Sequence, residues 1–157
     1  MDFTVAVASD HAGFALKEEI CTYLKEQGIR FHDFGVANAA PVDYPDQALL
    51  VAEAVAGGEY RYGILVCGTG IGMAITANKV PGIRAVVCSD TFSARMARAH
   101  NDCNILCLGG RVVGPGLAVE LVSTFLSTAF LGERHARRVE KITAVEEKYA
   151  RKKGEDR

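Results

Sequence analysis

The sequence predicts a three-layer α/β/α sandwich: a doubly wound, five-stranded parallel sheet with helices on both faces. Three observations carry this. Strand-like and helix-like segments alternate along the whole chain of 157 residues. The strand segments are continuous apolar runs, the pattern of strands buried on both faces. Polar residues and glycines gather directly after them, as Ser9-Asp10-His11, Cys67-Gly68-Thr69, Ser89-Asp90 and Gly109-Gly110-Arg111. In an open parallel sheet, ligands bind outside the carboxyl ends of the strands, near the point where the strand order reverses.

Each element has its own signal. Residues 3–8 form a first strand rich in Val and Ala. Over 13–27 the residues Leu16, Ile20 and Leu24 recur every fourth position, a helical face, and Gly28 ends it. A second strand covers 29–34 and a loop 35–44. The helix over 45–56 has Pro45 in its first turn, where a missing N–H is harmless, and Gly57-Gly58 beyond its end. Residues 62–66 are the third strand, followed by a helix to about Asn78. Residues 83–88 and 91–99 are the fourth strand and its helix, and 104–108 and 115–130 the fifth pair. A last helix begins near His135 with Val139, Ile142, Val145 and Tyr149 as its apolar stripe. Residues 1–150 read as one domain and 151–157 as a charged, disordered tail. Strands taken in sequence give a Rossmann-like order, 2-1-3-4-5.

Composition removes several functions. Apolar residues make up 49%, charged residues 24%, and the net charge is −1, which argues against nucleic-acid binding through bulk electrostatics. No apolar run approaches the ~20 residues of a membrane span. The chain enters a strand at once, without a basic leader, so no signal peptide is expected. The five cysteines (Cys21, Cys67, Cys88, Cys103, Cys107) are an odd number without a CxxC pair. Neither a disulfide framework nor a zinc site is indicated, and the expected location is the cytoplasm.

The stretch 66–78, Val-Cys-Gly-Thr-Gly-Ile-Gly-Met-Ala-Ile-Thr-Ala-Asn, carries the strongest chemical signal. A strand runs into Cys67, and Gly68, Gly70 and Gly72 let the backbone turn tightly and approach a ligand. The following helix start offers unpaired N–H groups, which favour an anion. A thiolate is stabilised in such a place and can act as nucleophile or base. Elsewhere, buried cysteine is an ordinary small core residue, the reading for the other four. Met73 stands where a tyrosine-phosphatase loop needs arginine, and the Gly-Lys-Ser/Thr ending of a Walker loop is missing. The dinucleotide fingerprint is absent from the first turn, which leaves a flavin- or nucleotide-binding module a remote alternative. Asp10-His11 reads either as a helix cap or as a pair facing the crevice. His100-Asn101-Asp102 falls on the opposite edge of the sheet, where His100 suits a helix C-terminus. Arg134, Arg137 and Arg138 crowd the start of the last helix with only Glu133 to balance them. Arg134 and Arg138 share a helix face, and paired guanidinium groups suit a phosphate.

Together these motifs resemble the type B ribose-5-phosphate isomerases of the ribose/galactose isomerase superfamily over residues 4–148. The marks are Ser-Asp-His-Ala-Gly-Phe at 9–14, Asp-Tyr-Pro at 43–45, Cys-Gly-Thr-Gly-Ile-Gly at 67–72, Ala-Asn-Lys at 77–79 and Gly-Ile-Arg-Ala at 82–85. His-Asn-Asp at 100–102, Gly-Gly-Arg-Val-Val-Gly at 109–114 and Arg-His-x-x-Arg-Val at 134–139 complete them. The resemblance implies interconversion of ribose 5-phosphate and ribulose 5-phosphate in the pentose phosphate pathway, without metal or organic cofactor. It implies Cys67 as the base between C1 and C2, and Thr69 with the amides of Gly68, Gly70 and Gly72 around the enediolate. His100 would open the sugar ring, with Asp10 close by. Tyr44 and Asn101 would bind the sugar, and His11, Arg111, Arg134 and Arg138 the phosphate. The last two would come from the other subunit of a homodimer, tetramers being possible. Some relatives carry a glutamate base six residues after the cysteine position; Met73 stands there in this chain. A six-carbon substrate, allose 6-phosphate or galactose 6-phosphate, is the implied alternative.

Overall fold

The computed structural model describes residues 3–155, with side chains as far as residue 150. Five strands and six helices follow one another as β1 (Thr4–Ser9), α1 (Phe14–Glu26), β2 (Arg30–Asp33), α2 (Tyr44–Ala56), β3 (Tyr62–Cys67) and α3 (Ile71–Ala77). Then come β4 (Ala85–Val87), α4 (Thr91–Asn101), β5 (Ile105–Gly109), α5 (Pro115–Ser127) and α6 (Glu133–Glu155). All expected elements exist. β4 is shorter than expected, α5 stops before Phe130, and α6 runs past residue 150 as far as Glu155. The remainder of the expected disordered tail lies outside the described residues.

All strand pairs are parallel, in the order β2-β1-β3-β5-β4. The expected order 2-1-3-4-5 is therefore corrected at its last two positions. The reason is burial. A strand between two others must be apolar on both faces, and Ile105–Gly109 is buried at every residue. Ala85–Val87 is short and partly exposed, which suits an edge. The exchange has two consequences. The connection from β4 to β5 runs backward across the sheet, so right-handed crossover puts α4 on the face opposite α3. It also makes β5 the neighbour of β3, with Cys67 directly opposite Gly109 in the register.

Alternate strand residues enter two cores. Val5, Val7, Ile64, Val66, Leu106 and Leu108 pack with α1, α4 and α5, through residues such as Ile20, Ala97 and Phe125. Ala6, Ala8, Leu65, Cys67, Ile105 and Cys107 pack with α2 and α3, through Ala48, Val51, Val55 and Met73. Cys67 thus points to the α2/α3 side.

Two buried cations are paired. Lys17, 1% exposed, binds the Asp33 carboxylate and donates to the Val36 carbonyl at 3.0 Å. Burial alone would lower its pKa, but Asp33 and Glu18 outweigh this and hold it above 10.5. Arg98 donates to Asp102 Oδ1 at 2.7 Å, to the Cys103 carbonyl at 2.7 Å and to the Tyr62 hydroxyl at 3.1 Å.

Gly13 shows how closely the site loops are packed. A Cβ there would lie 2.2 Å from the Val66 carbonyl oxygen, a backbone atom that cannot swing aside. Gly13→Ala is expected to cost about 1–3 kcal/mol, as overpacking does. Urea denaturation checks this, and an unchanged midpoint contradicts it.

Candidate active site

The reversal of strand order between β1 and β3 opens a crevice at their carboxyl ends, and three loops converge there. The loop after β1 is tied down by the Asp10 N–H, which donates to the Val66 carbonyl at 3.2 Å. Asp10 is buried, and its Oδ1 accepts from the Gly13 N–H at 3.0 Å. This bond closes the turn before α1, whose N-cap is Gly13 without a side-chain cap, so Asp10 faces the lip of the crevice rather than capping the helix. His11 is exposed, and its Nδ1 accepts from the Val42 N–H at 3.4 Å, which tethers the loop leading to α2. That loop delivers Tyr44, the first residue of α2. Its ring lies so close to Gly72 that a Cβ there would come within 2.5 Å of Cε2.

The loop after β3 forms the floor. Cys67 is 5% exposed, and its Sγ accepts the Gly70 N–H at 3.1 Å. Gly70 has φ +79°, and a Cβ there would crowd the Leu108 backbone at 3.1 Å. Only glycine adopts this conformation cheaply in so little space. Thr69 turns its Oγ1 toward the Ile71 N–H at 3.4 Å. Because α3 has only seven residues, the loop's own N–H groups face the thiol more directly than a long helix dipole would.

The loop after β5 is the third wall, present because β5 neighbours β3. The Gly110 N–H donates to the Cys67 carbonyl at 2.7 Å, and the Arg111 N–H to the Gly68 carbonyl at 3.0 Å. The guanidinium of Arg111 lies over Gly68, where a Cβ would be 3.5 Å from Nη1. Asp10, His11, Tyr44, Cys67, Gly68, Thr69, Gly70, Gly72 and Arg111 are therefore brought together.

His100, Asn101, Arg134 and Arg138 are not. α4 leads back to the start of β5, so its last turn lies at the amino edge of the sheet, away from Cys67. There the His100 ring stacks on His135 of α6, with centroids 4.1 Å apart and planes inclined by 6°. Arg134 Nε reaches His135 Nε2 at 3.5 Å. One chain thus carries two polar clusters on opposite edges: the thiol cradle with Arg111, and His100 and Asn101 with Arg134, His135 and Arg138.

Comparison with known proteins shows the family. The family model described as Ribose/Galactose Isomerase matches residues 5–142. The chain belongs to the ribose/galactose isomerase family. Within this family it is 51% identical to "Ribose-5-phosphate isomerase B" of Escherichia coli over 92% of this chain and 97% of that one. Its fold matches the Clostridium thermocellum Ribose-5-Phosphate Isomerase B structure with a TM-score of 0.91 at 54% identity, covering 93% of this chain and 99% of that one. It matches Ribose-5-phosphate Isomerase B from Mycoplasma genitalium with bound Ribulose-5-phosphate with a TM-score of 0.88 at 40% identity, covering 94% and 98%.

In this ribose/galactose isomerase family member the other four cysteines pack in or against the two cores. Burial pushes the Cys21 thiol up to about 12, those of Cys88 and Cys103 to about 11, and that of Cys107 well above 9.0. These four belong to the packing, as expected. Met73 is fully buried in the α2/α3 core and offers no base.

Sequence reasoning missed the residues that shape the cluster at the amino edge. Asp102, directly after His100-Asn101, has φ +47°. Two arginines clamp it there: Arg98 Nη1 at 2.7 Å from Oδ1 and Arg84 Nη2 at 2.9 Å from Oδ2. Arg84 Nε also donates to the Asn101 carbonyl at 3.1 Å. The signal available was the placement of Asp102 four residues after Arg98, a helical pair spacing.

Burial, then the charges of His100, Arg134 and Arg138, lower the pKa of His135 below 6.5. An unfolded chain binds a proton there near 6.5, so the unfolded state holds more protons just below that pH. Stability is thus full above pH 6.5 and falls as pH drops toward the folded value. His135→Phe is expected to flatten this part of the thermal-unfolding pH profile; an unchanged slope contradicts it.

Beside this cluster, α6 leaves Ile142, Val145 and Tyr149 about half exposed. They line a cavity of about 1080 Å³ with Ile83, Met96 and Asn101. No helix among the described residues is long and apolar enough to cross a membrane.

Proposed function

We propose that this chain interconverts ribose 5-phosphate and ribulose 5-phosphate in sites completed by two copies. The observation that carries this reading is the sulfur of Cys67 against the Gly70 N–H, in a crevice where Asp10, His11, Tyr44 and Arg111 converge. The names of the relatives at about half identity supply the substrate.

His100 of the second copy gives a proton to the ring oxygen while the C1 hydroxyl gives its proton to Asp10 beside it, so the bond from C1 to the ring oxygen breaks and the aldehyde forms. Cys67 then removes the proton from C2 of the aldehyde, forming an enediolate. Thr69 and the N–H groups of Gly68, Gly70 and Gly72 hold its oxygens, donors that each contribute about 2.7–4 kcal/mol in a comparable hole. Cys67 returns the proton to C1 while the proton on O2 passes to O1, which yields the ketose. Tyr44 and Asn101 of the second copy hold the sugar. His11 and Arg111, with Arg134 and Arg138 of the second copy, grip the phosphate, whose binding energy orients the reacting end. In this reading the protons move through side chains alone, without metal or organic cofactor.

Geometry supports a second copy. His100 and Arg138 lie at the sheet edge opposite Cys67, and a two-fold arrangement brings unlike edges of two chains together. The half-exposed stripe of Ile142, Val145 and Tyr149 then gains a cover. A cytoplasmic enzyme fits the five free cysteines.

The test is relative kcat/KM on ribose 5-phosphate, allose 6-phosphate and galactose 6-phosphate. The five-carbon sugar is expected to lead by about tenfold or more, the worth of roughly 1.4 kcal/mol in the transition state. A lead for either six-carbon sugar overturns the assignment.

A further inference from the structure

His135 is a buried histidine without a part in the chemistry above. It is 5% exposed, and among the described residues only Ser9, Asp10, Lys17 and Arg98 are comparably buried polar groups. Its main chain is anchored where α6 begins: the His135 N–H donates to the Gly132 carbonyl at 2.9 Å. Just before α6, the Leu131 N–H donates to the Ala99 carbonyl at 3.0 Å, which pins this corner to the last turn of α4. The two helices are thereby held so that the imidazoles of His100 and His135 lie face to face, nearly parallel.

His135 Nε2 lies 3.5 Å from Arg134 Nε, at the outer limit of a hydrogen bond. Burial, then His100 from α4 and Arg134 and Arg138 from α6, hold the His135 pKa below its ordinary value, with Glu133 alone opposing. A flat ring is what a neighbouring imidazole needs to hold one orientation. A histidine at the frayed end of a helix otherwise samples several rotamers, at an entropic cost when one is required.

We propose that His135 is a positioning residue for ring opening: its stacked ring fixes the plane in which His100 meets the sugar ring oxygen. This rests on the reading of His100 as the ring-opening group. The arrangement explains why a histidine stands between the two phosphate arginines, where a third charged contact with the substrate is not needed. While Arg134 and Arg138 are read as meeting the phosphate, His135, one residue along the helix, turns inward to His100.

Ribulose 5-phosphate makes the test selective. Its C5 oxygen bears the phosphate, so it cannot close to a furanose, and proton exchange at its C1 needs Cys67 but no ring opening. In the whole enzyme, His135→Ala is expected to lower kcat on ribose 5-phosphate by about 10- to 100-fold, the usual cost of a misplaced group. Deuterium wash-in at C1 of ribulose 5-phosphate, followed by NMR, is expected to stay within about twofold of wild type. His135→Phe, which keeps a flat ring, is expected to recover most of the lost turnover. His135→Leu, of similar volume without a ring, is expected to behave like alanine and serves if the alanine variant does not fold. Equal turnover for Phe and Leu, or equal loss of turnover and wash-in, overturns the positioning role. His100→Asn separates the two claims. If it spares ribose 5-phosphate turnover, or reduces turnover and wash-in alike, the ring-opening reading itself is wrong. If it lowers turnover alone while His135→Ala does neither, only the present inference falls.

Discussion

Cys67→Ala is expected to lower kcat on ribose 5-phosphate by about 10²–10⁴-fold, the contribution of a positioned general base. Proton abstraction next to a carbonyl needs a group of suitable basicity within hydrogen-bond reach of the carbon-bound proton. In the crevice the candidates are few. Asp10 is committed through Oδ1 to the Gly13 N–H, and His11 accepts through Nδ1 from Val42. Met73, at the position where some relatives place a glutamate, is a fully buried thioether. The substitution removes one sulfur from a site already hemmed in by backbone, and the Gly70 N–H it leaves behind can turn to water or to substrate. The fold and the phosphate grip should therefore survive, as circular dichroism and competition by a non-isomerisable sugar phosphate would show. Deuterium wash-in at C1 of ribulose 5-phosphate should fall together with turnover, because both pass through the same proton transfer. If turnover falls less than about tenfold, another base operates and the assignment of Cys67 is wrong.

The glycine-rich floor of the site was readable because its constraints are local. Gly70 must adopt a positive φ and Gly13 must meet a carbonyl, and such demands select a residue type at a fixed spacing whatever surrounds it. Element type was readable for the same reason, since Leu16, Ile20 and Leu24 mark a helical face without reference to a partner. The strand order was harder, because it is decided by competition between segments. Apolarity alone does not decide it: Ala85, Val86 and Val87 are an apolar run like Leu106 to Leu108, but only the β5 run is long enough to be covered along both sides. The bracketing Arg84 and Asp90 were the available hint that β4 lies at an edge. That exchange matters to the chemistry, since it sets Gly110 and Arg111 against the Cys67 loop. The stack of His100 on His135 and the contact of Arg84 with Asp102 were not readable. They join segments far apart in sequence, and no periodicity encodes such contacts, whereas Arg98 and Asp102 are a spaced helical pair.

Mixing two crippled forms should restore activity that neither has alone. Take Cys67→Ala as one partner and the double variant Arg134→Ala, Arg138→Ala as the other. The first lacks the base but retains both arginines; the second retains the cradle but lacks the distal phosphate grip. If each site joins the crevice of one chain to the α4/α6 corner of another, a mixed dimer contains one site with both defects and one site with none. Random reassociation of equal amounts makes half the dimers mixed, so activity should reach about a quarter of wild type under the isologous pairing of a two-fold dimer. Sites confined to one chain predict no such gain, because every crevice would then carry one defect or the other. The measurement needs subunit exchange, by brief treatment with dilute denaturant and refolding, and assay at ribose 5-phosphate concentrations well below the KM of the arginine variant. Each variant exchanged with itself is the control. Physical reasons favour the gain. Arg134 and Arg138 stand on a helix that touches its own chain mainly through α4, beside a half-exposed apolar stripe. Two guanidinium groups sharing one helix face, with only Glu133 nearby in sequence, are better balanced by a phosphate held in a neighbour's crevice than by water. Failure to exceed the sum of the two controls, with exchange verified by mass-tagged subunits, would show that the sites are not shared between chains.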